Sequence, residues 1–149
     1  MKKDQLIHGS FSIITAFKTY VLLYIVVKTR EVLVQAIYQH LFEKTPPKEI
    51  LEQFKKEHRP EKVDFKRFKL CVDELIKDNE VIEETISTKM KIKENEIELI
   101  DKAILCLGII EMNNEMAPRT VVIDECIRLT RKFSNPESYK FINASLDKI

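Results

Sequence analysis

At 149 residues with 25 Lys+Arg against 24 Asp+Glu, the chain has the size of one domain and a formal net charge of only +1. That balance excludes nucleic-acid binding by bulk positive charge, so any such site is a local patch with few phosphate contacts. Two glycines, Gly9 and Gly108, cannot build a phosphate-cradling loop or a dinucleotide fingerprint, and abundant Leu, Ile, Glu and Lys favour an all-α protein.

Phe11 to Val27 reads FSIITAFKTYVLLYIVV, 17 residues interrupted by one charge, Lys18. The run is at the lower edge for a membrane span, and Lys2-Lys3 ahead of it loosely suggests a signal peptide without a small-residue cleavage site. Tyr20 to Val27 is rich in β-branched and aromatic residues, which weakens a helix assignment there. Residues 1–27 are therefore an apolar extension open to three readings. They form an extra helix packed on the domain, a membrane-associating tail, or residues preceding the true start. The first and third are preferred, and membrane association is not expected.

From Lys28 onward one helix follows another. Leu33, Val34, Ala36, Ile37 and Leu41 make an apolar stripe between about Thr29 and Glu43. Thr45-Pro46-Pro47 stops that helix and starts a short charged one to Glu57, with Thr45 as cap and proline in the first turn. That helix shows Ile50, Leu51 and Phe54 to a core. A third helix begins near Val63-Asp64 and carries Phe65, Phe68, Cys71, Val72, Leu75 and Ile76 on one face. Asp78-Asn79 bends or ends it, Val81 to Ile86 forms another short helix, and Met90 to Glu96 reads as a linker.

The central helix runs from about Asn95 to Asn113 around Ala103–Ile110, eight residues without a polar side chain. A helix apolar all round is buried on several sides, and Gly108 inside it implies close packing with a neighbour. Pro118 opens the next helix, to Phe133, with Val122, Cys126, Leu129 and Phe133 facing inward and Asp124 paired to Arg128 on the wet face. Asn135-Pro136-Glu137 starts the last helix, Asn135 as N-cap and Pro136 first in the helix, with Ile142, Leu146 and Ile149 as its apolar edge. The sum is an antiparallel all-α bundle of about six or seven helices.

Catalysis and metal binding find no support in the motifs. His8, His40 and His58 have no metal-ligand spacing, and Glu83-Glu84 point about 100° apart on a helix. Cys71, Cys106 and Cys126 are widely spaced in apolar surroundings and read as reduced core thiols. No cofactor is expected.

Three blocks together resemble a known family. Thr29–Gln39 (TREVLVQAIYQ) resembles the first-helix signature of the NusB family of transcription antitermination factors. Ile100–Met112 (IDKAILCLGIIEM) resembles its central helix. Val121–Phe133 (VVIDECIRLTRKF) with Ser138–Ile149 (SYKFINASLDKI) resembles its C-terminal end. The blocks follow the family's order over residues 28–149.

The resemblance implies an all-helical fold of two small packed subdomains and a non-enzymatic, cytoplasmic role. In that role the protein pairs with the ribosomal protein NusE, binds boxA RNA of ribosomal RNA operons, and acts in an RNA polymerase antitermination complex. It assigns RNA contacts to Lys28, Arg30, Tyr38 and Lys140, and partner contacts to Asp101, Glu137 and Phe141. On chemistry alone Arg30 either clamps a phosphate or pairs with a carboxylate, and Tyr38 either stacks on an unpaired base or packs on the bundle. The chain departs from the pattern at four places. Val26-Val27 stand where the family has arginines, Cys106 replaces an arginine, Asp124 an asparagine, and Ala144-Ser145 a Gly-Val pair. Two alternatives follow: a protein-binding scaffold that has lost RNA contact, and an rRNA-processing accessory domain, such as that of an rRNA methyltransferase.

Overall fold

The computed structural model describes residues 2–149, with side chains from Ser12 onward, so the side chains of Lys2, Lys3, His8, Gly9 and Phe11 lie outside the described residues. Seven α-helices follow in order: α1 (Lys2–Glu43), α2 (Pro47–Glu57), α3 (Phe65–Lys77), α4 (Asn79–Glu84), α5 (Leu99–Asn113), α6 (Arg119–Phe133) and α7 (Ser138–Leu146). A π-helical turn (Thr85–Lys89) extends α4, and a 3-10 turn (Glu94–Glu96) precedes α5. No strand occurs among the described residues.

The fold grows from two central helices. α1 carries fully buried Val32, Leu33, Val34, Ala36 and Ile37, and α5 is buried on almost every side from Ala103 to Glu111. α2 and α3 pack on α1, while α6 and α7 pack on α5, so two small bundles share one core along the α1–α5 contact. Phe54 and Phe68 lie with ring centroids 5.4 Å apart and lock α2 to α3. Gly108 explains the closeness of the second bundle. A Cβ there would stand 3.0 Å from Leu146 Cδ2 and 3.1 Å from the Cys126 sulfur, so any larger residue would make these side chains on α6 and α7 give way.

Local signals set most boundaries. Asp64 caps α3 by accepting the Arg67 backbone N–H at 3.1 Å, and Pro47 occupies the first turn of α2. Three expected boundaries move. Thr45 does not cap α2. Its hydroxyl instead accepts from the Gln39 amide and its carbonyl meets His40 Nδ1, so it closes the end of α1, where Lys44 turns left-handed at φ 58. The last helix starts at Ser138, not at Pro136, because the Asn135 side chain accepts the Glu137 N–H at 3.2 Å and holds a polar turn. α5 starts at Leu99 because Glu94–Glu96 are taken up by the 3-10 turn. Arg128 differs as well: it pairs with Glu125 and Glu31, not with Asp124.

The largest difference lies at the N-terminus. The β-branched run from Tyr20 to Val27 continues the same helix as Thr29 to Glu43 without a break. From Ser12 to Tyr24 it leaves the bundle, and its side chains are exposed. Of the three readings, a helix packed on the domain does not describe Ser12 to Tyr24.

Candidate nucleic-acid interface

The candidate residues divide by depth. Arg30 sits on the buried side of α1, 4% exposed, and donates from Nε to both Glu111 carboxylate oxygens at 3.0 and 3.1 Å. Arg67 of α3 reaches the same carboxylate at 2.6 Å. Glu111 is 1% exposed, and burying a carboxylate is tolerable only with such charged partners around it. The structure therefore gives the Arg30 guanidinium to a carboxylate 81 positions away, and a phosphate could reach it only by displacing Glu111.

Asp101 is also sunk. In the first turn of α5, where the helix end favours an acidic group, it accepts the Ser134 hydroxyl at 2.6 Å and is 5% exposed. Its contact fastens the α6–α7 junction onto α5. Neither Arg30 nor Asp101 presents its head group to a partner in this conformation.

The remaining candidates lie at the surface. Tyr38 is exposed on α1, with its ring stacked 6.2 Å from that of Phe42. It lines a cavity of about 440 Å³ with Gln35, Glu98, Leu99, Ile100 and Phe133. Phe133 ends α6 next to the Ser134 that holds Asp101, so Tyr38, Asp101 and the α6–α7 junction converge on one place. Glu137, Lys140 and Phe141, all exposed, follow at i, i+3 and i+4 on the outer side of α7, whose inner side buries Ile142, Ser145 and Leu146. Lys28 is half-buried, ten residues before Tyr38, about 15 Å down the same helix.

Sequence reading missed the charges that surround this surface. Glu31, seven residues before Tyr38 and on nearly the same face of α1, accepts from Arg128 Nη1 and Lys132 Nζ, each at 2.9 Å. Burial pushes the Glu31 carboxyl up, but the hydrogen bonds and charges of Lys132 and Arg128 outweigh it and hold the group below the usual carboxylate range. Arg131 lies over the Tyr139 ring, 4.8 Å from its centroid, and Lys140 lies 5.9 Å from the same ring. The basic last turn of α6 (RLTRKF) was the available signal for this group. Its partner Glu31 gave none.

The three thiols take no part. Burial pushes Cys71 and Cys106 up to about 12 and raises Cys126 as well. Among the described residues no group of His, Cys, Asp and Glu could hold a metal ion.

A family model described as the NusB family matches residues 27–149, most of the chain. The chain belongs to the NusB family. Relatives named transcription antitermination protein NusB include one from Psychromonas ingrahamii, 34% identical over 122 residues, covering 81% of this chain and 84% of that protein. Another, from Tolumonas auensis, is 34% identical over 123 residues, covering 82% of this chain and 89% of the relative. A solved structure of T. maritima NusB superposes with a TM-score of 0.70 at 22% identity, over 82% of this chain and 87% of that one. That likeness establishes the all-α NusB fold. The surface made by α1, α6 and α7 lies wholly inside the family match, whereas α1 before residue 27 lies outside it.

Proposed function

We propose that this NusB-family chain is a non-catalytic, cytoplasmic transcription antitermination factor that binds boxA RNA of ribosomal RNA operons together with NusE. The observation that carries this reading is Tyr38. It is an exposed aromatic residue of the family-like first helix, at the rim of a cleft beside the basic end of α6 and the start of α7. Single-stranded RNA is recognised by stacking unpaired bases on such rings, with phosphates held by nearby cations.

In this reading Tyr38 stacks a base, while Lys140 and Lys28 hold phosphates. Glu137 and Phe141, acidic and apolar on the outer side of α7, meet the basic ribosomal protein. Arg30 and Asp101 act from beneath: Arg30 fixes α1 against α5 through Glu111, and Asp101 fixes the α6–α7 junction. With a net charge of +1, affinity comes from few phosphate contacts, and the protein partner supplies the rest. The same complex then joins RNA polymerase as part of an antitermination assembly.

A second reading, a protein-binding scaffold without RNA contact, is favoured by one specific observation. The cation expected to clamp a phosphate, Arg30, is already held by Glu111, and Val26-Val27 supply no charge beside it. Fluorescence anisotropy of labelled boxA RNA, with and without NusE and across a salt series, separates the two. Antitermination predicts tighter binding to boxA than to a scrambled RNA, strengthened by NusE. Binding of NusE with no boxA preference in any condition would refute it and leave the scaffold.

A further inference from the structure

Residues 12–24 of α1 stand outside both the core and the family match. Its side chains from Ser12 to Tyr24 are exposed, the large apolar ones from 36% at Val21 to 72% at Ile13. Exposed apolar surface of this extent on a soluble domain marks an interaction site. At 100° per residue Ile13, Phe17, Tyr20 and Tyr24 fall along one side of the helix, but Leu22 points to the opposite side, Leu23 to one flank and Ile14 and Val21 to the other. A protein groove or a second copy of the helix would cover one stripe and leave the others in water. Only a solvent that is apolar on all sides covers the whole helix.

Length and charge fit the same solvent. α1 is the one described helix long and apolar enough to cross a membrane. Between Asp4 and Lys28 the sequence has a single charged residue, Lys18. The 23 residues from Gln5 to Val27 span about 35 Å as a helix, against a hydrocarbon core of roughly 30 Å. Lys2 and Lys3 stand at one end and Lys28 at the other, where lysines meet anionic headgroups. Lys18 falls near the middle of this stretch, about 14 Å from Val27, and is the one charge that a bilayer core would penalise.

We infer that residues 5–27 insert into a lipid bilayer and anchor the helical domain at the membrane surface, against the expectation from sequence alone. No linker separates the two parts. α1 has no proline or glycine between Ser12 and Glu43. Just past the exposed run, the Thr29 hydroxyl donates to the Ile25 carbonyl at 2.6 Å and accepts the Asp64 N–H at 2.9 Å, pinning the helix to the start of α3. The domain would sit directly on the headgroups, with Lys28 at the boundary.

Flotation tests this. The full-length chain, purified in mild detergent, is diluted into vesicles of phosphatidylcholine and phosphatidylglycerol, floated through a density gradient and washed with alkaline carbonate. The expected result is co-flotation that survives the wash, and loss of flotation in F17E/L22E with an unchanged unfolding midpoint, since neither side chain touches the core. A wild-type chain that stays at the bottom (self-associated or not), is stripped by carbonate, or floats no better than F17E/L22E overturns the inference. RNA affinity plays no part in this readout, so its failure is separate from failure of the antitermination reading.

Discussion

Replacing Glu111 by glutamine tests the main polar contact inside the bundle. The exchange keeps the shape of the side chain and removes its charge, leaving Arg67, 17% exposed, without this anion and Arg30, 4% exposed, with only the Glu125 carboxylate 3.9 Å from Nη1. A hydrogen bond to a charged group contributes roughly 1.5–3 kcal/mol, and two guanidinium groups depend on this carboxylate. The sum, about 3–6 kcal/mol, overlaps the roughly 3–5 kcal/mol cost of breaking a buried pair by removing one partner. For a chain near 150 residues this lowers Tm by about 10 °C. Urea unfolding at neutral pH measures it as a lower midpoint at constant slope. An apolar exchange of both members, R30M/E111L, should recover much of the loss, because Arg67 can turn to water while the other site repacks without charge. If Glu111→Gln costs less than about 1 kcal/mol, the buried network does not hold the two bundles together and the reasoning fails.

Glu31 gives a pH signature. Its folded pKa lies below the usual glutamate value of 4.5, so its contribution is fully present above that pH and is lost as pH falls through the folded value. Acid titration of stability should therefore show a smaller drop below pH 4.5 in Glu31→Gln than in the wild type; equal drops would remove Glu31 as a cause. The thiols Cys71 and Cys106, pushed up to about 12, with Cys126 raised as well, should resist a thiol reagent at pH 8 in the native state and all react in denaturant; fast native labelling would refute their burial. Gly108→Ala should destabilise by about 1 kcal/mol. Overpacking against Leu146 and Cys126 costs roughly 1–3 kcal/mol against a helix-propensity gain of about 1, and a stabilised variant would mean that α7 yields easily. If RNA binds as proposed, Lys140→Ala lowers the slope of log affinity against log salt by about 0.7, while Tyr38→Ala weakens binding by about 1–3 kcal/mol; a variant with the wild-type slope excludes Lys140 as a phosphate contact.

The helices were legible because their cause is periodic and local. The apolar stripe of α1, the uninterrupted run of α5 and the 4-3-4 spacing in α6 each state which side is buried, and the structure buries those sides. Gly108 announced a close approach, and Leu146 and Cys126 supply it. Boundaries were less legible where several polar residues competed for one backbone group. Asn135 could cap a helix or hold a turn, and only the position of Ser134, bonded to Asp101, decides for the turn. The extension from Ser12 to Val27 misled for a related reason: β-branched residues disfavour a helix only weakly, and a well-nucleated helix adjoining them extends through.

The candidate surface was legible only in part, because charge placement depends on partners far apart in sequence. Arg30 and Glu111 are separated by 81 positions, and Glu31 and Lys132 by 101, so neither pair leaves a periodic trace. Tyr38, beside Val34 and Leu41 at the edge of the apolar stripe, was open to two readings, and its exposure in the structure decides. Arg30 could be read two ways, and burial decides: inside a bundle a guanidinium without a carboxylate costs more than the pair itself, so the chain that buries Arg30 must also bury Glu111. The missing arginines at Val26-Val27 then acquire a physical sense. The helix turn beside Arg30 is the last one before the apolar run that leaves the bundle. Val26 and Val27 are half-buried where α1 enters the bundle, between the exposed run that ends at Tyr24 and the buried Thr29 and Arg30, so arginines there would have to leave that packing to reach a phosphate.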